Sequence, residues 1–556
     1  MIEGVSILAT LLLVGLLARP TGLYLAKAFS AEPNGLDRWF GPAEKLLCRV
    51  GGVRQEPQTW KKYAAEVLIG NGAMMALVYV IFRTQNDLPW NPSGIANMEP
   101  TLAFHTAISF MTNTNLQHYS GESGLSYLSQ MIGIAFMMFT ASGTGLAVVM
   151  AFMRALSGKP VGSFYVDLIR SVTRVLLPIS IATAMIFVAM GVPQTLEPTA
   201  AAQTLQGGVQ AIARGPMASF LSIKELGNNG GGFMGVNSAH PFENPGAISN
   251  LLQIVLMMLI STSLPFAYGR MVGNAKQGRV LFVSMAMLFI AMLGISLGAE
   301  HAGNPALNAL GLQQGQGSME GKETRFGIAQ SALYSVVTTA SETGAVNAMH
   351  DSLTPVGGLA TIANMMLNTV FGGVGAGFMN VLMYAMIGVF LSGLMVGRTP
   401  EFLGKKLEGK EMKLIALTLL VPPFLILVPT AVALFAYPGT VSNPGFHGLT
   451  QAMYEYTSSA NNNGSGFEGL GDNTPFWNIS TGLVMYIGRY FPIVTLLAVA
   501  GSLAAKKPVP ETIGTFRTDT GLFAAVFLGA VLIVGALTFF PSLVLGPIAE
   551  QLTLEP

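Results

Sequence analysis

The stretch GNNGGGF (227–233) follows an apolar run, 216–227, that is too short to cross a membrane. Twelve helical residues rise about 18 Å, against a hydrocarbon core of about 30 Å. A short apolar helix followed by polar, Gly/Asn-rich backbone is the pattern of a re-entrant loop. Such backbone is tolerated at membrane depth only where it lines a water-filled cavity. The pattern recurs three times, as TNTNLQ (112–117) after 101–112, ASETGAV (340–346) after 328–339 and ANNNGSGF (460–467) after 447–458. Aligned on Asn115, Gly230, Gly344 and Gly464, the segments are 115, 114 and 120 residues apart. Twelve residues before each anchor stands an Ala, with an aromatic or His two places later: Ala103/His105, Ala218/Phe220, Ala332/Tyr334 and Ala452/Tyr454. A fixed period marks one structural unit used repeatedly. Four such loops predict four walls around one pore, and so ion selection rather than catalysis.

Composition agrees. Of 556 residues, 51% are hydrophobic and only 10% charged, where a soluble domain carries about 25% charged residues. The chain reads as an all-α polytopic membrane protein. A net charge of +1 gives no electrostatic argument for nucleic acid. The single Cys48 excludes an internal disulfide framework and a thiolate metal cluster. The first apolar run follows Glu3 without a basic region before it or a small-residue cleavage site, which predicts a retained span.

Ten runs are long enough to cross: 3–26, 62–83, 126–155, 164–192, 247–270, 278–299, 359–396, 411–437, 476–504 and 518–545. Each predicted repeat is span, short helix, polar segment, span. The expected divisions are 62–155, 164–270, 278–396 and 411–504, flanked by an extra N-terminal span and loop (1–61) and an extra C-terminal span (518–556). Five connections, among them 397–413, carry twenty Lys and Arg, while the opposite ones carry only Arg214, Lys224, Lys322 and Arg325. By the positive-inside rule both termini are outside and all four segments open from the outer face.

The residue types suit a cation filter. Carbonyls aimed at one axis need some residues at φ > 0, which Gly accepts freely and Asn more readily than most. Exposed carbonyls are hard oxygen ligands able to replace the hydration shell of K⁺. The candidate filter is Asn113, Thr114, Asn115, Leu116 and Gln117, then Asn228, Asn229, Gly230, Gly231 and Gly232, then Glu342, Thr343, Gly344 and Ala345, and finally Asn462, Asn463, Gly464 and Ser465. Thr114, Asn229, Thr343 and Asn463 offer side-chain oxygens as further ligands. Potassium is the only metal expected, and no catalytic residue is assigned. Run 359–396 is far longer than a span requires, and its middle reads FGGVGAGF (371–378). Glycine is costly inside a helix. A broken helix is predicted, with Gly372, Gly373, Gly375 and Gly377 forming a gate beneath the filter. Arg489, at mid-span, is expected beside that gate, because a charge at such depth faces a cavity or a partner. His240, Glu342 and Asp351 are expected near the outer vestibule.

No GxxxxGK[ST] loop, DKTGT-like phosphorylation sequence, HExxH or CxxC occurs. The chain has no means to couple ATP to transport by itself, and no organic cofactor is expected.

TNTNLQHYSGE, NNGGGF with NSAHPFENP (237–245), and NNNGSGFEGL closely resemble the corresponding stretches of the potassium-binding A subunits of the Kdp potassium-transporting ATPases. The resemblance runs from end to end, and NSAHPFENP is its most specific element. It implies a place in the superfamily of K⁺ transporters with four span–pore–span repeats, although TVGYG of K⁺ channels is replaced in every segment. It further implies a bacterial inner-membrane complex for high-affinity K⁺ uptake. In it a P-type ATPase subunit (KdpB) hydrolyses ATP, assisted by KdpC and the small KdpF peptide. K⁺ would pass from this subunit's filter through a tunnel to the ATPase subunit. An Arg in the last repeat's second helix is a feature of the superfamily, which Arg489 fits. The alternative is a self-sufficient K⁺ symporter or channel of the Trk/Ktr type. A pore-less membrane enzyme or scaffold fits the absent His/Cys/Asp clusters poorly.

Overall fold

The structure, a computed structural model, describes residues 2–30, 35–395, 397–510 and 515–554. Position 396 of the seventh predicted span, parts of the first and last basic loops (31–34, 511–514) and the extreme ends lie outside the described residues. Among the described residues, ten helices are long and apolar enough to cross a membrane: Glu3–Ala28, Trp60–Asp87, Ser129–Leu156, Phe164–Ala189, Ala247–Met271, Ala275–Ala309, Ala376–Met395, Gly409–Ala436, Pro475–Ala504 and Gly521–Leu554. Among the described residues the strands form only two small antiparallel hairpins, 200–203 with 209–212 and 401–402 with 405–406. The chain is a multi-pass membrane protein.

The spans form two classes. The third, fifth, seventh and ninth are 61–72% buried within the molecule, and the other six only 17–39%. Four spans thus form an inner wall and six face outward. The third span shows why: its FTASGTGLAVVM run is small enough for neighbours to approach closely, the usual basis of helix packing in lipid.

Between the spans lie four short helices, Pro100–Met111, Met217–Leu226, Gly327–Ala340 and Phe446–Asn461. Each packs between its own flanking spans or helices. The ninth span also packs on the first short helix, so the fourth unit closes back on the first.

Run 359–396 is not one helix. Helix Pro355–Leu367 ends at Asn368, whose φ of 43° is left-handed, and the next begins at Ala376. Phe371, Gly372 and Gly375 between them also have positive φ. An unforeseen helix, Leu36–Val50, occupies the first basic loop, anchored by Glu44 against Arg174 at 2.6 Å.

Candidate functional site

The four polar segments leave the C-terminal ends of the short helices, where the helix dipole is negative and favours a cation. One backbone bond recurs in all four. The residue six before each anchor accepts from the amide one before it: Thr114 N to Ser109 O at 3.0 Å, and Asn229 N to Lys224 O, Thr343 N to Thr338 O and Asn463 N to Ser458 O each at 2.9 Å. The dihedral angles repeat too. Asn113, Asn228, Glu342 and Asn462 have φ of 63°, 50°, 49° and 60°, and the anchors Asn115, Gly230, Gly344 and Gly464 have 59°, 82°, 87° and 102°. Left-handed residues at alternate positions bring successive carbonyls to one side, and this conformation selects Gly and Asn.

The segments meet head to tail. A β-carbon on Gly230 would collide with Thr343 O, one on Gly344 with Asn463 O, and one on Gly464 with Thr114 O. At the remaining seam Asn113 Nδ2 donates to Asn228 O at 2.7 Å, while Gln117 pairs with both the N–H (2.7 Å) and the carbonyl (3.0 Å) of Gly232. The ring is therefore closed. Its expected residues are buried, apart from half-buried Gln117 and Gly464.

Side chains tie the ring together from behind. Asn228 Nδ2 donates to Thr343 Oγ1 and Asn462 Nδ2 to Thr114 Oγ1, both at 2.8 Å. Asn463 Oδ1 accepts from the Ser465 amide at 3.0 Å and its hydroxyl at 2.6 Å. Ser109 Oγ donates to Leu116 O at 2.8 Å. Thr114, Thr343 and Asn463 thus spend their oxygens inside the wall, which leaves the backbone carbonyls as the ring's free oxygens. Asn229 Oδ1 is buried with no hydrogen-bond partner. Ala345 is fully buried, and Gly231 packs against Asn115. Glu342, matching the three asparagines, is 2% exposed, and neither carboxyl oxygen has a hydrogen-bond partner.

Sequence reasoning placed Lys224 and Lys322 among outer-loop cations. Both are buried instead, in ion pairs with Glu243 (2.6 Å) and Glu300 (2.7 Å). Lys224 Nζ also donates to Asn237 Oδ1 and to Ser238 Oγ (2.8 Å), and Asn237 Nδ2 donates to Gly230 O at 2.7 Å. NSAHPFENP is thereby a brace on the second segment. Its polar residues, set seven to nineteen places beyond Gly230 and Lys224, were the available signal, but nothing local showed that the loop folds inward. Glu342 and Asp351 are buried rather than lining an open vestibule, and His240 is partly exposed. In the basic loop, Lys405 is not free: its Nζ reaches the carbonyl of Leu156 at 3.1 Å, capping the third span.

The glycine loop lies against the ring. Gly372 N donates to Ala340 O at 2.9 Å, and Gly373 faces Glu342. A β-carbon on Gly375 would strike Gly145 O of the third span, and Gly377 packs on Gly372. Arg489 Nη2 and Val374 O both crowd Gly145. That Nη2 is buried without a hydrogen-bond partner, so the guanidinium is neither a backbone clamp nor half of an ion pair among the described residues. Asn368 Nδ2 reaches Asn461 Oδ1 at 3.3 Å, and both line a cavity of about 40 Å³ with Thr418, Asn380, Tyr384 and Thr538.

The sequence pattern of the family described as potassium-transporting ATPase A subunit matches residues 8–552. Among solved structures, the potassium transporter TrkH from Vibrio parahaemolyticus has a similar fold. The TM-score is 0.51 at 16% identity, over 90% of this chain and 98% of that one.

Proposed function

This chain belongs to the potassium-transporting ATPase A subunit family, and from that membership we propose that it selects K⁺ at the outer face and passes it to a P-type ATPase subunit. It is a K⁺ transporter subunit and not itself catalytic. The finer reading is carried by one observation, the closed ring in which all four segments have positive φ at the same two positions. Backbone carbonyls of Thr114, Asn115, Asn229, Gly230, Thr343, Gly344, Asn463 and Gly464 would replace the ion's water, supported by the negative ends of four short helices. The ring supplies selection but no energy, since the chain has no nucleotide chemistry.

Below the ring, the 371–378 loop and Arg489 would set the gate. An unpaired guanidinium repels a cation, and the loop blocks straight passage. The cavity beside Asn368 and Asn461 favours a sideways exit between the third and fourth units, toward the partner. KdpB, KdpC and KdpF would complete the complex in the bacterial inner membrane, with both termini periplasmic and loop 397–413 cytoplasmic. The proposed units are 62–155, 164–270, 278–396 and 411–504. The alternative is a self-sufficient K⁺ symporter or channel of the Trk/Ktr type, since a potassium transporter has a similar fold.

Reconstitution separates the two. Alone, the chain should bind K⁺ yet build no gradient, with or without ATP. With the P-type subunit it should give K⁺-stimulated ATP hydrolysis, altered by Arg489→Ala. Accumulation driven by an ion gradient in the isolated chain would establish the alternative. Deleting Gly372 to Gly375 should give K⁺ leak or uncoupled hydrolysis; full coupling would reduce the loop to packing. A reporter fused after Lys406 should be cytoplasmic and one within 300–325 external.

A further inference from the structure

Just outside the ring, three residues beyond the first anchor, His118 meets the fourth unit. Its Nε2 lies 3.1 Å from Glu455 Oε1 and 3.9 Å from Asp472 Oδ2. All three ligand atoms fall within 4.8 Å of one another. Glu455 comes from the fourth short helix, Asp472 from the loop before the ninth span.

The other ring nitrogen is already assigned. Asn478 Nδ2 donates to Thr101 Oγ1 at 3.1 Å and Asn473 Oδ1 at 3.3 Å, so its Oδ1 is the atom facing His118 Nδ1 at 2.7 Å. Nδ1 therefore carries a hydrogen, and Nε2 faces the two carboxylates; without an ion it shares a proton with Glu455, and a bound cation would take that proton's place. This is the outer support that metal-bound histidines ordinarily have, a hydrogen bond that fixes tautomer and orientation. Against His118 stacks a second imidazole, His105, with ring centroids 3.8 Å apart. His105 is fully buried and neither of its nitrogens has a hydrogen-bond partner.

We propose that His118, Glu455 and Asp472 form a site for a divalent d-block cation of the zinc class, bridging the first and fourth walls at the outer mouth. One nitrogen and two carboxylates suit such an ion, and their two negative charges balance it. Ligands about 2.0–2.2 Å from a common zinc stand roughly 3.4 Å apart. The His118–Glu455 separation is close to that value. Asp472 must close by about half an ångström on His118 and draw in toward Glu455, and its side chain, 27% exposed on a loop, is placed to move. That side also leaves a position for water. The site is independent of the filter assignment.

The test is zinc titration of the full-length, chelator-washed protein in detergent, by calorimetry and X-ray absorption. We expect one Zn²⁺ per chain with a Kd of about 10 µM or tighter and an absorption signature of N/O ligands including imidazole. Asp472→Asn, at the most exposed of the three ligands, should weaken binding about 10–100-fold, as should His118→Gln. No binding by the wild type at about ten times that Kd would leave the cluster a proton-sharing pair and overturn the proposal. So would zinc binding that neither substitution weakens.

Discussion

The second and third segments of the ring share a backbone and differ in what stands behind it. Behind the second is a dense charged network, although Asn229 Oδ1 and Glu225 Oε2 have no hydrogen-bond partner. Lys224 is held by Glu243, Ser238 and Asn237, and Asn237 in turn holds Gly230 O. Behind the third is Glu342, with both oxygens unbonded, against a loop of glycines. Identical dihedral angles thus come with one stiff wall and one under-bonded wall. The under-bonded wall is the one next to the loop and near the cavity. On the function proposed above, the four-fold backbone would select the ion, and the departure from four-fold symmetry would give it a direction to leave.

Removing the cation from the stiff wall has the largest expected effect. Lys224→Met leaves the Glu243 and Glu225 carboxylates buried without a counter-charge, at a cost of about 3–5 kcal/mol. The detergent-solubilised protein should melt far lower, and adding Glu243→Gln should restore part of the loss. A single variant as stable as the parent would mean that the network is not a brace.

A side chain on the ring comes next. Gly230→Val places a β-branched residue at φ 82° and against Thr343 O. Strain alone is about 1–3 kcal/mol. K⁺ affinity should fall, or discrimination against Rb⁺ and Na⁺ weaken, with the protein still inserted. Unchanged uptake and selectivity would remove Gly230 from the filter. Gly344→Val should behave alike if the two walls share one backbone role.

The under-bonded wall should respond with the opposite sign. Glu342→Asn installs the residue found at the matching place in the other three segments. An amide there gains a donor toward the fourth segment, and stability should rise by about 0.5–1.5 kcal/mol. The same change should slow or uncouple transport if the missing bond is what lets this wall yield. A stability loss would show that Glu342 has a partner in the assembled complex.

The smallest effect lies at the rim behind the fourth short helix. His447 donates from Nδ1 to Glu550 (2.8 Å) and from Nε2 to Asp351 (2.9 Å). Burial opposes its charge, but hydrogen bonds to Asp351 and Glu550 outweigh it and lift the pKa to about 10. The folded pKa is raised, so the stabilisation is complete below about 6.5. It fades as pH rises toward about 10. Hydrogen exchange in the C-terminal helix, 549–554, should quicken across that window, and His447→Gln should flatten the dependence.

Much of this was legible locally. Apolar run length marked the spans, except where glycines broke 359–396 into two helices. The short helices and their polar tails stood out because Gly and Asn are the residues that tolerate left-handed backbone, and three anchors are Gly while the fourth is Asn115. Charge counting was less faithful. Lys224, Lys322 and Lys405 look like loop cations in the sequence, yet each is buried against groups 19 to 250 residues away.

The sequence by itself determined the unit and its number, because helix length, hydropathy and tolerance of positive φ depend only on neighbouring residues. Only the tertiary structure decided the ring. Thr114 meets Asn462 across 348 residues, and His118 meets Glu455 across 337. Such contacts arise when the fourth unit packs against the first. Their side chains, unlike the backbone they support, are free to differ at every seam.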